Sequence, residues 1–338
     1  MSMARPRRGG PRTIALAPGC PSGIGPEVTA AALAAAPLDD DVTFLSTGPA
    51  ALLVEGARRA RVVSRREGDT VTIGAHAVRC EPDDGDVPEA GRFDARALAW
   101  QRDGLLRAID AVSTGRAHAL VTAPLRKAAL KDVDGGPYPG QTELVHARLA
   151  SDTRPPLMAF VGGPFVLGLL TVHVPLKDVS RTITEALVEN AVERLAAHVA
   201  RSRVVDAAHP ARLVVLGVNP HAGEDGLLGD EERRVVAPTL ARLRSKTLDL
   251  VDPVPADGFF ADVARPGFVA PDAVLAAHHD QGLAPYKLLS SGKGVNLTLG
   301  LRAPRTSPDH GTADAIAGRG VASPSSMIEA IAVAARLA

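Results

Sequence analysis

Aromatic residues make up only 3% of this chain, with one tryptophan and two tyrosines. So sparse a supply argues against an extended base-stacking platform for single-stranded nucleic acid. Cysteine is almost as rare: Cys20 and Cys80 stand far apart with no CxxC spacing. That excludes a disulfide scaffold and a cysteine-built zinc site, and it fits a reduced, cytoplasmic setting. Charge of one sign is missing too, because 38 basic residues balance 38 acidic ones. No global field favours nucleic acid or an anionic membrane.

Long uninterrupted apolar runs are also lacking. The basic segment MSMARPRRGGPR precedes an apolar run of only residues 14–17, too short for a signal peptide, so a disordered start is expected. Residues 158–176 are uncharged, but Gly162-Gly163-Pro164 interrupts them and His173 and Pro175 lie inside. The pattern predicts two core strands joined by a turn rather than a membrane span. The chain is expected to be soluble.

What is present is ample apolar content, 46% of 338 residues, enough for about two domains with large cores. Strands are predicted at 13–17, 42–45, 62–63, 71–73, 119–122, 212–218, 273–277 and 295–299. Helices are predicted from Pro26 to about residue 36, over 95–112, over 141–149 with Thr142 as N-cap, over 184–200, from near Asp230, and in two final segments. Acidic residues at 81–86 and the glycine-rich residues 134–140 read as loops, as does the stretch from Asp257 to Ala270. Strands alternating with helices predict an α/β protein with mostly parallel sheets.

Three imidazoles share one sequence environment. His173, His221 and either His278 or His279 each close an apolar run. The C-terminal ends of such strands form the binding edge of an α/β sheet. Three imidazoles with an open position suit a catalytic divalent metal. Lys287, Asn296 and Arg305 follow the third histidine. Cationic groups beside a metal suggest an anionic substrate, a carboxylate or phosphate. Near the start, the glycine-rich residues 18–27 leave N–H groups that could meet an anion at a helix N-terminus. Gly23-Ile24-Gly25 lacks the third glycine of a dinucleotide fingerprint. Cys20 lies on this loop, but no histidine partner is assignable to it.

The motifs taken together resemble the 4-hydroxythreonine-4-phosphate dehydrogenase family. They are Gly23-Ile24-Gly25-Pro26-Glu27, Thr122-Ala123-Pro124, Gly140-Gln141-Thr142-Glu143, Thr171-Val172-His173, Asn219-Pro220-His221-Ala222-Gly223-Glu224, Pro255-Ala256-Asp257, His279-Asp280-Gln281-Gly282, Gly294-Val295-Asn296 and Arg305-Thr306-Ser307. Asp309-His310-Gly311-Thr312 closes the series and is similar to the nucleotide loop of isocitrate and isopropylmalate dehydrogenases.

The resemblance implies two α/β/α domains with a cleft between them, isocitrate/isopropylmalate dehydrogenase-like. It places a nucleotide-binding domain at 1–127 plus 286–338, and a central domain with metal ligands and dimer interface at 128–285. It implies that His173, His221 and His279 hold a divalent metal (zinc, magnesium, cobalt or manganese) in a homodimer, with His279 supplied by the neighbouring subunit. It assigns substrate contacts to Gln141, Thr142, Asp257, Lys287, Asn296 and Arg305, catalytic roles to Lys287 and Asp280, and NAD or NADP to Asp309, His310, Gly311 and Thr312.

The implied reaction is NAD(P)-dependent oxidation and decarboxylation of 4-phosphohydroxy-L-threonine to 3-amino-2-oxopropyl phosphate, in pyridoxal phosphate (pyridoxine) biosynthesis. The chain departs from the family at Cys20, where aspartate is usual, and at Gln141, where histidine is usual. Glutamine carries no positive charge. The departures keep other hydroxy acids in view: 4-phosphoerythronate, 4-phosphothreonate and a cyclic dihydrodiol dicarboxylate.

Overall fold

The computed structural model describes residues 10–82, 86–131, 133 and 136–338. The basic N-terminal residues, the centre of the acidic loop at Asp83-Asp84-Gly85, and Asp134-Gly135 lie outside the described residues.

The strands are β1 (Arg12–Ala17), β2 (Val42–Ser46), β3 (Ser64–Glu67), β4 (Thr70–Ile73), β5 (His76–Cys80), β6 (Ala119–Thr122) and β7 (Leu157–Val161). They continue with β8 (Val166–Leu169), β9 (Ala211–Leu216), β10 (Leu248–Val254), β11 (Ala273–Ala276), β12 (Val295–Leu299) and β13 (Arg305–Pro308). The helices are α1 (Gly25–Ala35), α2 (Ala50–Ala60), α3 (Ala95–Ser113), α4 (Gln141–Leu149) and α5 (Val179–Thr182). After them come α6 (Glu185–Ser202), α7 (Ala237–Leu243), α8 (Ala256–Val263), α9 (His279–Ser290) and α10 (Ser325–Leu337).

The chain forms two compact units, Met1–Leu149 with Ala303–Ala338, and Ala150–Arg302. In the first unit the strand order is β13-β6-β1-β2-β5-β4-β3. Pairing is parallel from β13 to β5 and antiparallel through β4 and β3. Ile14 to Ala17 are buried, which explains the continuous apolar run of β1. Helix α3 packs on β1, and α10 packs on β13 and α1.

In the second unit the order is β10-β9-β11-β8-β7-β12. The first four strands are parallel, and β7 and β12 are antiparallel additions. The expected turn between two core strands is the β7–β8 hairpin. Phe165, Leu167, Val274 and Tyr286 anchor the core beside it. Tyr286 is fully buried, and its hydroxyl accepts the Gly163 N–H at 2.9 Å.

Several expectations need correction. The strand expected at 62–63 is displaced to β3, and Val63 is 89% exposed. Ser64-Arg65-Arg66-Glu67 is a polar edge strand, and the hairpin with β4 defines it rather than burial. Thr142 lies inside the first turn of α4, with its hydroxyl turned to Arg305, rather than capping the helix. The helix expected from near Asp230 does begin there, as a π-helical stretch at Glu232–Val236 that runs into α7. Helix α8 occupies part of the stretch expected to be loop, and α9 runs through Gly282 and Pro285. The unit boundaries fall after Leu149 and Arg302 rather than after residues 127 and 285. The reason is packing: α4 lies on α3, α9 lies on β8 and β11, and β12 pairs with β7. Among the described residues no helix is long and apolar enough to cross a membrane.

Candidate active-site groups

In the second unit, β8, β11 and β9 are neighbours and all parallel. Their C-terminal ends therefore lie on one edge. His173 follows β8, His221 follows β9, and His279 opens α9 directly after β11. The strand-end placement expected from sequence is thus what the backbone shows.

The two adjacent histidines have different tasks. His278 is the N-cap of α9, and its Nδ1 accepts the Gln281 N–H at 3.4 Å. Burial lowers its pKa, partly offset by the charge of Asp280. His279 points elsewhere: its Nδ1 is 2.7 Å from Asp280 Oδ1. A carboxylate on one ring nitrogen fixes the tautomer and leaves Nε2 for a ligand. The His279 ring lies 6.3 Å from the His173 ring, centroid to centroid, within one chain. Asp280 itself is 88% exposed, and its carboxylate is placed to orient His279.

The next two residues hold this arrangement in place. Gln281 Oε1 accepts the Ala277 N–H at 2.7 Å, and Gln281 Nε2 donates to Gly217 O at 2.7 Å. One side chain thereby ties the end of β11 to the end of β9. At Gly282 a Cβ would stand 2.8 Å from Ala276 Cβ and 3.1 Å from Leu169 Cδ2. Only glycine lets α9 start so close to the strands.

His221 sits on an unusual turn. Residues His221 to Asp225 are all left-handed, with φ of 51, 51, 85, 42 and 59°. Four of the five are not glycine, and each costs roughly 1–2 kcal/mol in that region. The base of the turn is pinned. Asn219 N–H donates to Glu232 Oε1 at 2.7 Å, and Asn219 Nδ2 donates to Glu231 Oε2 at 2.6 Å. Ser180 Oγ donates to the other oxygen of Glu231. Strain held in this way is characteristic of functional sites. Among the described residues, no three His, Cys, Asp or Glu side chains of one chain converge closely enough to hold a metal ion. His173 and His279 are brought together, and His221 does not complete their set within one chain.

The other candidates of this unit are dispersed. Lys287 is exposed on α9, and Asp257 is exposed in the first turn of α8. Asn296 lies on β12, and its Oδ1 is buried without a hydrogen-bond partner. Such an atom suits a ligand donor.

In the first unit, Gln141, Thr142 and Arg305 do meet. Arg305 is 2% exposed on β13. Its Nη2 and Nε donate to Thr122 Oγ1 at 2.6 and 3.1 Å. Its Nη1 donates to Thr142 Oγ1, and its Nη2 to Gln141 Oε1, both at 3.4 Å. Burial pulls its pKa down to about 10, opposed by the charge of Glu143. A cation desolvated to this degree favours a neighbouring anion. Gln141 Nε2 donates to Ala123 O at 3.4 Å, so both ends of its amide are engaged.

The loop Asp309-His310-Gly311-Thr312 follows β13. Asp309 N–H donates to Ser326 Oγ at 3.0 Å. His310 Nδ1 lies 3.2 Å from Gly311 O, and its Nε2 is buried without a partner. A carbonyl only accepts, so a neutral His310 carries its proton on Nδ1 and offers Nε2 as an acceptor.

The glycine-rich loop before α1 departs from expectation. Three of its N–H groups are already used: Cys20 N–H donates to Pro124 O, Gly23 N–H to Cys20 O, and Ile24 N–H to Thr312 O. Cys20 is free and buried, and burial raises its thiol pKa, which disfavours the nucleophilic thiolate. The structural parts of Thr122 and Gln281 were not assigned from sequence. Thr122 closes β6 and Gln281 lies in the first turn of α9, both inside recognised motifs, which was the available signal.

Comparison with known proteins agrees along the whole chain. The family model described as "Pyridoxal phosphate biosynthetic protein PdxA" matches residues 43–334. The 4-hydroxythreonine-4-phosphate dehydrogenase of Paracoccus denitrificans (strain Pd 1222) is 39% identical over 333 residues, covering 97% of this chain and 98% of that protein. The protein of the same name from Burkholderia vietnamiensis is 40% identical over 331 residues, covering 96% of each. Among solved structures, the 4-hydroxythreonine-4-phosphate dehydrogenase of Klebsiella pneumoniae superposes with a TM-score of 0.77 at 32% identity, covering 96% of this chain and 99% of that one. A terephthalate 1,2-cis-dihydrodiol dehydrogenase from Burkholderia xenovorans LB400 is more distant, at 26% identity and a TM-score of 0.61, covering 96% and 97%. The chain therefore belongs to the PdxA family of pyridoxal phosphate biosynthetic proteins.

Proposed function

We propose that this protein is an oxidoreductase acting on a CH–OH group, a 4-hydroxythreonine-4-phosphate dehydrogenase of pyridoxal phosphate biosynthesis. The observation that carries the reading is the match, over nearly the full length of both chains, to proteins of that name. The alternative substrates, 4-phosphoerythronate, 4-phosphothreonate and a dihydrodiol dicarboxylate, are not favoured, since the full-length relatives are named for 4-hydroxythreonine-4-phosphate and the neighbour named for a dihydrodiol is more distant. The cofactors are NAD or NADP and a divalent metal (zinc, magnesium, cobalt or manganese), and the working form is a cytoplasmic homodimer.

The residues fit these groups chemically. His279, backed by Asp280, has the carboxylate–imidazole pairing typical of metal ligands, and His173 is its near neighbour. With His221 they give the borderline-soft nitrogen set that a divalent ion takes, and a second copy of the chain completes it. The unpartnered Nε2 of His310 suits a donor on a nucleotide base. When bound, the metal supplies Lewis-acid polarisation of substrate oxygens and the nicotinamide accepts the hydride.

The chain's own groups do the rest. Arg305, fixed by Thr122, Thr142 and Gln141, is a preorganised cation for an anionic group of the substrate. The buried Oδ1 of Asn296 accepts from a substrate amine or hydroxyl. Asp257 and Lys287 supply further polar contacts, with Lys287 as the candidate proton carrier. Oxidation of the secondary alcohol yields a β-keto acid. Loss of CO₂ then gives 3-amino-2-oxopropyl phosphate. Preorganised cations near the developing negative charge lower the barrier to that second step.

The test follows nicotinamide reduction with 4-phosphohydroxy-L-threonine and each alternative acid, with NAD and with NADP. Turnover is expected with 4-phosphohydroxy-L-threonine, lost on chelation and lost in His221→Ala. A preference for another acid overturns the substrate assignment, and full activity in His221→Ala overturns the metal assignment.

A further inference from the structure

The Gly23-Ile24-Gly25-Pro26-Glu27 stretch bonds the Gly23 and Ile24 N–H groups within the protein. What it holds is the far end of the same unit. Ile24 N–H donates to Thr312 O at 3.2 Å. A Cβ on Gly23 would stand 3.1 Å from Thr312 O and 3.2 Å from Thr312 Cβ, so a side chain there would press Thr312 away by a few tenths of an ångström. Glu27, in the first turn of α1, is 2% exposed. Its Oε2 accepts the Gly318 N–H at 3.1 Å, and the Gly320 N–H also bonds to its carboxylate. Its Oε1 is buried without a partner. Between these points, Arg126 Nη2 pairs with Asp314 Oδ2 at 2.7 Å. Arg59 is buried nearby and donates to Pro21 O at 2.7 Å and Pro88 O at 3.4 Å.

We propose that Glu27 is a positioning residue for the loop from Asp309 to Gly320, holding it in the conformation that receives the nicotinamide nucleotide. The assignment rests on the dehydrogenase reading above, which gives that loop to the cofactor. Burying a carboxylate is unfavourable, and burial does raise the Glu27 pKa. An apolar residue would pack in the same volume at less cost. What the carboxyl adds is a directional acceptor for two backbone N–H groups that follow the short 3-10 turn at Asp314–Ile316. If the competent loop conformation is only fractionally populated, apparent nucleotide affinity falls by that fraction. Glu27 therefore acts on nucleotide binding without touching the hydroxy acid or the reacting atoms.

The full-length protein is compared with Glu27→Ala, Glu27→Gln and Gly23→Ala. Two quantities are read: KM for the nucleotide against kcat and KM for the hydroxy acid, and backbone hydrogen–deuterium exchange over 312–320 without nucleotide. Glu27→Ala is expected to raise the nucleotide KM about tenfold and speed exchange of the loop, with kcat at saturating nucleotide within about twofold. Glu27→Gln keeps a carbonyl acceptor and should recover most of the affinity. Gly23→Ala crowds Thr312 from the other side and should act like Glu27→Ala, which keeps the test alive if that variant does not fold. Wild-type exchange and nucleotide KM in Glu27→Ala and Gly23→Ala overturn the proposal, as does an equal rise of both KM values. If the wild-type protein reduces no nucleotide with any acid, the dehydrogenase reading fails, and the exchange comparison still decides whether Glu27 holds the loop.

Discussion

Individual buried polar side chains divide here into those with an evident task and those without. Arg305 and Glu27 are costly to bury, and each is held in a network that gives it direction. His198 on α6 is different: it is 4% exposed, and its Nδ1 has no hydrogen-bond partner. Burial first, and the charge of Arg201 second, push its pKa down to about 4 from 6.5. Between those values the unfolded chain binds the proton more readily than the folded one. Stability is therefore complete above pH 6.5 and is lost as pH falls toward 4. We expect His198→Leu to be neutral or stabilising at pH 7.5, and to exceed the wild type at pH 5 by on the order of 1–2 kcal/mol. Denaturant midpoints at the two pH values check this. An equal pH dependence of the two proteins would show that His198 does not carry the acid sensitivity.

At the level of elements, the parallel strands were legible because their burial on both faces leaves continuous apolar runs, as in Ala273 to Ala276. Their C-terminal edge, and with it the placement of His173, His221 and His279, was legible for the same reason. Helix α9 was not. Gly282 and Pro285 read locally as helix breakers, yet tertiary packing makes one a requirement and tolerates the other. The left-handed run after Pro220 was equally hidden, because nothing in His221-Ala222 favours positive φ. The pairing of Glu231 and Glu232 with Asn219 that fixes it spans a dozen residues.

Gly282→Ala tests the packing of α9. A methyl group 2.8 Å from Ala276 Cβ must displace the start of the helix that carries His279 and the Gln281 tie. We expect a loss of about 1–3 kcal/mol in stability. Metal affinity, titrated with Zn²⁺ alone, should fall with it. A variant with wild-type metal affinity would separate helix placement from the metal site.

For the whole molecule, the proposed sharing of the metal between two copies has a direct genetic signature. His173→Ala, His221→Ala and His279→Ala are each expected to be inactive alone. When two of them are unfolded and refolded together, a mixed dimer regains one intact site if one of the mutated ligands crosses between copies. Restored activity should then approach about a quarter of wild type. The His173–His279 proximity within one chain makes the mixtures containing His221→Ala especially informative. Activity in none of the three mixtures would place all the ligands in a single copy.

The division into Met1–Leu149 with Ala303–Ala338, and Ala150–Arg302, also dictates an order of assembly during synthesis. The second unit is continuous and has all its strands once residue 302 has left the ribosome. The first cannot close until later. Strand β13 covers one side of β6, and α10 packs on β13 and α1, so both must arrive from residues made after the second unit. Until then β6 is a bare, apolar edge, the kind of surface that recruits other chains. The earliest-made half of this protein thus waits longest to become native, and a nascent-chain chaperone has most to protect there.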